Sequence, residues 1–200
     1  MSISKKVSLQ EPFEKFHQWL NLAATNKNIV EPTAMCLSTI DENNCPSSRM
    51  ILLKKFDERG FCFFTNLTSR KGKELSKNPN VALCFYWGIL GYQIRIEGAV
   101  EKVSAKEADD YFASRRRESQ IGAWASKQSC DMENWEEFTN RINEIEQNFA
   151  NQDVPRPPFW SGFRVVPKRI EFWQEGEFRI HKREIYTKNG DGWNFGLIYP

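Results

Sequence analysis

Between residues 11 and 26 the apolar positions Phe13, Phe16, Leu20 and Ala23 recur at the spacing of one helix face, and Pro12 sits where a first helical turn tolerates it. From Ala34 the period changes. Runs rich in Phe, Val, Ile and Leu alternate with turn clusters at 41–44 (DENN), 57–60 (DERG) and 88–91, predicting strands over 34–40, 47–54, 61–65, 81–87 and 92–103. A short helix is expected after Ser69, ending before Pro79, because a residue preceding proline is steered away from helical backbone. Helical spacing returns from Ala105 to Ser114 and over 132–149, until Pro155, Pro157 and Pro158 stop it. Strands at 163–173, 177–182, 184–188 and 193–198 follow, with Asn189-Gly190 as a hairpin signal. Strands joined by tight turns dominate. The expected fold class is therefore mainly β (α+β), an antiparallel barrel with peripheral helices rather than a parallel α/β sheet. The chain reads as one domain over 1–200, with 1–10 disordered and no internal repeat.

Composition adds limits. The 200 residues suffice for a single core. Aromatics reach 14%, which suits either a β-rich core or a flat ligand held between rings. A net charge of +2 is too small for a nucleic-acid partner yet leaves room for a small anion. Cys36, Cys45, Cys62, Cys84 and Cys130 are odd in number and widely spaced, so neither a metal site nor a disulfide framework is expected. Free thiols and the lack of a long apolar run point to a soluble, cytoplasmic protein with no membrane partner. His17, on the first helix, reads as a surface or packing histidine.

Four segments could carry chemistry. In 63–75 (FFTNLTSRKGKEL) a strand ends at Thr65 and Ser69 can cap the next helix. That places Arg70 and Lys71 in the first turn, where cations oppose the helix dipole. An anion bound there would explain them; a solvated basic turn gives the same pattern. In 49–54 (RMILLK) an apolar strand carries a cation at each end, with Arg49, Ile51 and Leu53 on one face and Met50, Leu52 and Lys54 on the other. Residues 111–129 hold Arg115-Arg116-Arg117, and Gly122 among small residues suggests a close backbone approach. Along 178–184 (FRIHKRE), Arg179, His181 and Arg183 alternate on one expected strand face, a pattern that an anionic ligand would explain. No nucleophile elbow, P-loop or dinucleotide fingerprint is present. The residues alone give an anion-binding barrel.

The ordered combination RMILLK, FFTNLTSRK, SRRRESQIGAWASKQS, FWSGFRV, IEFWQ and FRIHKR resembles the pyridoxamine/pyridoxine 5′-phosphate oxidase family over about residues 11–200. The resemblance implies an FMN-binding split β-barrel and a homodimer with FMN at the subunit interface. It assigns FMN to Arg49, Met50, Ile51, Leu52, Leu53, Lys54, Phe64, Thr65, Arg70, Lys71, Gln93, Gln128, Ser129, Trp173 and Arg183. A phosphorylated pyridine substrate would meet Lys54, Tyr111, Arg115 and Ser119 through its phosphate. Arg179, Ile180 and His181 would border its ring, with Arg179 and His181 as the catalytic pair. The reaction implied is oxidation of pyridoxamine or pyridoxine 5′-phosphate to pyridoxal 5′-phosphate, with O2 as acceptor and H2O2 as product.

The resemblance leaves two alternatives: a related flavin oxidase for another ring system, such as a phenazine precursor, and a non-catalytic flavin- or pyridoxal-phosphate-binding protein. Three departures bear on substrate closure more than on FMN. Arg116 stands where the family usually has Pro, and residues 197–200 (LIYP) replace a family Arg-Leu-x-Pro ending. An arginine- and tyrosine-containing N-terminal segment that closes over substrate in many members is not expected here.

Overall fold

The structure, a computed structural model, describes residues 5–200. Strand β1 (Lys5–Val7) leads into helix α1 (Glu11–Thr25), which opens with Pro12 in its first turn and buries Phe13, Phe16 and Ala23. Then come β2 (Ala34–Ile40), β3 (Pro46–Leu52), β4 (Lys55–Asp57), β5 (Gly60–Asn66) and α2 (Arg70–Lys77). Strands β6 (Asn80–Trp87) and β7 (Tyr92–Lys102) precede three helices, α3 (Ala105–Ala113), α4 (Arg117–Ala125) and α5 (Trp135–Asn148). Strands β8 (Trp160–Gln174), β9 (Lys182–Asn189) and β10 (Gly192–Leu197) close the chain.

Every pairing is antiparallel, in the order β1-β10-β9-β8-β7-β6-β2-β3. Strand β8 also pairs β5, which pairs β4. Among the described residues β1 and β3 do not meet, so the sheet wraps its core without closing. The register of β7 on β8 shifts at Glu97/Gly98, where a Cβ on Gly98 would lie 2.2 Å from the Val166 carbonyl oxygen. Only glycine fits so close an approach. Strand alternation drives the core: Met35, Leu37, Phe61, Phe85, Ile94, Ile96, Val165, Ile170 and Phe172 point inward and are fully buried. Phe16 of α1 plugs it, meeting Phe56, Phe61 and Phe85 edge to face. A smaller cluster of Phe112, Ile121, Val154 and Trp160 anchors α3 to α5.

Several expectations need correction. Residues 177–182 are not a strand. Glu177–Arg179 form a 3₁₀ turn in which Phe178 and Arg179 take left-handed φ values of 53° and 64°. The alternating cations mimicked a strand, but hydrogen bonds from Ile180 N to Glu177 O and from Gly176 N to His181 Nδ1 curl the segment. Arg179, His181 and Arg183 therefore do not share one strand face; of the three, only Arg183 lies in β9. The disorder expected over 1–10 fails from residue 5 onward. Lys5–Val7 pair with β10, and the Trp193 indole donates to the Leu9 carbonyl; residues 1–4 lie outside the described part. Helix α4 and strand β4 had no clear periodic signal. Helix α4 is secured by tertiary contacts, including Gln120 Nε2 donating to the Phe112 carbonyl at 2.9 Å.

Candidate active site

The turn from β5 into α2 is built for a cation-bearing first helical turn. Asn66 Oδ1 accepts from Thr68 N, while the Ser69 hydroxyl donates to Asn66 O and caps the helix by accepting from Gly72 N. A Cβ on Gly72 would sit 2.3 Å from the Leu67 carbonyl oxygen, so glycine lets the helix start this tightly against the strand. This sends the Lys71 ammonium to Thr65 Oγ1 at 3.2 Å and Gln128 Oε1 at 3.0 Å. Burial pushes Lys71 below its ordinary pKa; nearby Arg49 adds to the shift and Glu74 opposes it. Arg49, from edge strand β3, donates through Nη2 to Ser47 Oγ at 2.8 Å and to Glu74 Oε2 at 3.0 Å.

Arg49 and Lys71 line a cavity of about 590 Å³. One wall is β3 and its continuation, Met50, Ile51, Leu52 and Lys54; another is Phe64, Thr65 and Asn66 of β5. Helices α3 to α5 and the loop after α4 supply Tyr111, Ser119, Gly122, Ala123, Ser126, Gln128 and Phe138, and Arg115 and Trp160 complete the lining. Phe64 stacks on Tyr111 at 4.0 Å and on Trp160 at 5.4 Å, giving a rigid aromatic floor. The Arg115 guanidinium lies 5.1 Å above the Trp160 ring, and its Nη1 is buried with no hydrogen-bond partner among the described residues. Burial lowers the Arg115 pKa and raises that of Tyr111. A half-buried guanidinium with one buried, unused donor suits an anion, because leaving a buried donor unpaired is costly.

Arg49, Met50, Ile51, Leu52, Lys54, Phe64, Thr65, Lys71, Tyr111, Arg115, Ser119 and Gln128 are thus brought together as anticipated. Others lie elsewhere. Leu53 is buried in the main core, and Arg70 points outward to pair with Glu74 at 2.8 Å. Ser129, at φ 70°, belongs to a neighbouring hollow of about 250 Å³. Gln93, Trp173 and Arg183 form a second group, side by side in register across β7, β8 and β9. The His181 ring lies 4.6 Å from Trp173, and Arg183 is held by Glu171 and the Tyr199 carbonyl. Arg179 and Ile180 sit in the turn beside this row, outside the cavity lining.

Sequence reasoning missed Asn66, Ala123, Ser126, Phe138 and Trp160 in the lining, and Glu74 behind it. The cap geometry of Asn66 was the one available signal. At Gly122 the expected close approach is absent: an added Cβ would meet nothing within 4 Å, so the residue contributes space to the cavity.

An open antiparallel sheet with a cationic cavity on its edge strand defines a split-barrel protein. The fold matches a pyridoxamine 5′-phosphate oxidase-related, FMN-binding protein of Nostoc punctiforme, with a TM-score of 0.76 at 16% identity over 94% of this chain and 98% of that one. It matches more closely PhzG of Burkholderia lata, solved with tetrahydrophenazine-1-carboxylic acid: TM-score 0.88, 31% identity, covering 94% of this chain and 92% of that one. The pyridoxamine 5′-phosphate oxidase family model matches residues 22–174, and that of the pyridoxine 5′-phosphate oxidase C-terminal dimerisation region matches 160–200. Pyridoxine/pyridoxamine 5′-phosphate oxidases of Myxococcus xanthus and Pelagibacter ubique are 50% and 49% identical, over 95% of this chain and 92% of each relative. The chain belongs to the pyridoxamine 5′-phosphate oxidase family.

FMN is the cofactor of this family. The cavity fits a flavin phosphate on its own terms, because Arg49 and the desolvated Lys71 converge beside the capped N-terminus of α2. No helix among the described residues is long and apolar enough to cross a membrane.

Proposed function

We propose that this protein oxidises pyridoxamine 5′-phosphate and pyridoxine 5′-phosphate to pyridoxal 5′-phosphate. With the alcohol, one O2 is consumed and one H2O2 formed; with the amine, water also enters and ammonia leaves. The observation that carries the reading is Arg115 Nη1, buried and unpaired among the described residues, in a cavity that also holds Lys54, Tyr111 and Ser119. These four groups suit a substrate phosphate, leaving Arg49 and Lys71 for the phosphate of FMN. Bound there, FMN supplies the two-electron acceptor. The protein's part is orientation and charge neutralisation, with the Phe64–Tyr111–Trp160 stack as a rigid support.

Gln93, Trp173, Arg179, His181 and Arg183 do not line the cavity of their own chain. A homodimer in which a second copy presents this group to the cavity accommodates them, in keeping with the dimerisation region over 160–200. Arg179 and His181 would then border the substrate ring and hold its reacting carbon in place. A reducing, cytoplasmic setting agrees with five free cysteines.

An aerobic assay with each phosphorylated vitamer, following aldehyde absorbance and peroxide together, tests the reading. Equal yields of both products are expected. Turnover of a reduced phenazine carboxylate with neither vitamer oxidised would overturn it.

A further inference from the structure

We infer that Glu74 is a positioning residue for the cofactor phosphate, acting through Arg49; the inference rests on the FMN reading above. Glu74 lies within α2 and is only 5% exposed. Its Oε2 accepts from the Thr39 hydroxyl at 2.5 Å and from Arg49 Nη2 at 3.0 Å, and its Oε1 accepts from Arg70 Nε at 2.8 Å. Thr39 Oγ1 in turn accepts from Arg49 Nη1, which also reaches the Leu37 carbonyl, while Ser47 takes a second Nη2 proton. The guanidinium is thereby fixed in plane between β2 and β3, and its Nε forms no hydrogen bond among the described residues. That one donor remains for a ligand.

The second effect is electrostatic. Arg49 and Lys71 face one cavity, and the Arg49 charge disfavours that of Lys71. Burial would raise the Glu74 pKa, but hydrogen bonds from Thr39, Arg70 and Arg49 outweigh it and hold the carboxyl below its usual range. A fixed anion therefore opposes the fall in the Lys71 pKa. A carboxylate near an anion site should also repel phosphate. Two arginines neutralise this one, so its orienting effect on Arg49 outweighs the repulsion, and removing the charge should weaken phosphate binding.

Glu74→Gln keeps the size, removes the charge and turns one of the two acceptor oxygens into an NH2 donor, so the contacts to Thr39 and Arg49 on one oxygen and to Arg70 on the other cannot all survive. Apoprotein titrated with FMN and with riboflavin, which lacks the phosphate, separates the phosphate contribution from ring binding. Glu74→Gln should lower FMN affinity about tenfold and leave riboflavin affinity unchanged. An unchanged or increased FMN-to-riboflavin ratio overturns the positioning role alone. Wild-type protein that binds neither flavin overturns the cofactor reading and this inference with it. If Glu74→Gln does not fold, Thr39→Val, which removes the hydroxyl bridging Arg49 and Glu74, carries the same comparison.

Discussion

The Phe64 and Tyr111 rings lie stacked at 4.0 Å with 19° between their planes, joining strand β5 to helix α3 at the cavity wall. Tyr111 therefore combines packing with a hydroxyl, and two substitutions divide the roles. Tyr111→Phe keeps the stack and should raise the KM for either vitamer about tenfold with an unchanged melting temperature. Tyr111→Ala should also destabilise the fold by about 2–4 kcal/mol, since it opens a gap against Phe64 and Trp160. Steady-state kinetics and thermal melts on both variants check this; an unchanged KM in Tyr111→Phe removes the hydroxyl from the phosphate site.

Lys71 gives a pH dependence. A charged ammonium favours a bound phosphate, and the pKa of this lysine in the apoprotein is lowered, chiefly by burial. FMN affinity should therefore fall as pH rises through that lowered value, at lower pH than an ordinary lysine would allow. Lys71→Met should weaken FMN binding about ten- to a hundredfold and abolish this pH dependence. Fluorescence titration across the alkaline range measures both.

Acid should destabilise the fold through Asp57 and Glu74. Both carboxyls are held below their usual pKa: burial opposes the shift in each, but hydrogen bonds from Arg59 to Asp57, and from Thr39, Arg70 and Arg49 to Glu74, prevail. A depressed folded-state pKa contributes stability above the unfolded value, about 4 to 4.5, that is lost as pH falls through the folded one. Chemical denaturation at stepped pH should show this loss below about pH 4.5, reduced in Glu74→Gln.

Arg116 stands at the N-terminus of α4 with φ −58°, the angle a proline ring imposes, and its N–H donates no main-chain hydrogen bond among the described residues. The family proline is thus compatible with the backbone seen here. Arg116→Pro should stabilise by about 0.4–1 kcal/mol by restricting the unfolded chain, raising the melting temperature by about 1–4 °C. A lower melting temperature would show that the Arg116 side chain contributes more than its backbone suggests.

Arg179 and His181 belong to a curled turn, and Gly176 N–H donating to His181 Nδ1 at 3.3 Å orients the imidazole. Arg179→Met should lower kcat/KM by about a hundredfold with flavin content intact, because small errors of substrate placement are costly. His181→Asn should lose less. Near-normal efficiency of flavin-loaded Arg179→Met would remove this turn from the active site.

Local patterning was sufficient for most of the framework. The alternation over 34–40 and 92–103 and the helical spacing over 11–26 are properties of neighbouring residues, and β2, β7 and α1 follow them closely. The Ser69 cap and the two cations after it were likewise visible, because a helix start is written within four residues. The turn at 177–179 was not: left-handed backbone at Phe178 and Arg179 depends on hydrogen bonds closing onto Gly176, whereas the sequence shows only alternating cations. Glu74 was equally hidden, since its partners Thr39 and Arg49 come from strands 35 and 25 residues away. Tertiary structure also divided the anticipated site residues into a cavity group and the Gln93–Trp173–Arg183 row. Sequence spacing sets which face of an element a side chain occupies. Which faces meet is decided only when the sheet has wrapped around its core.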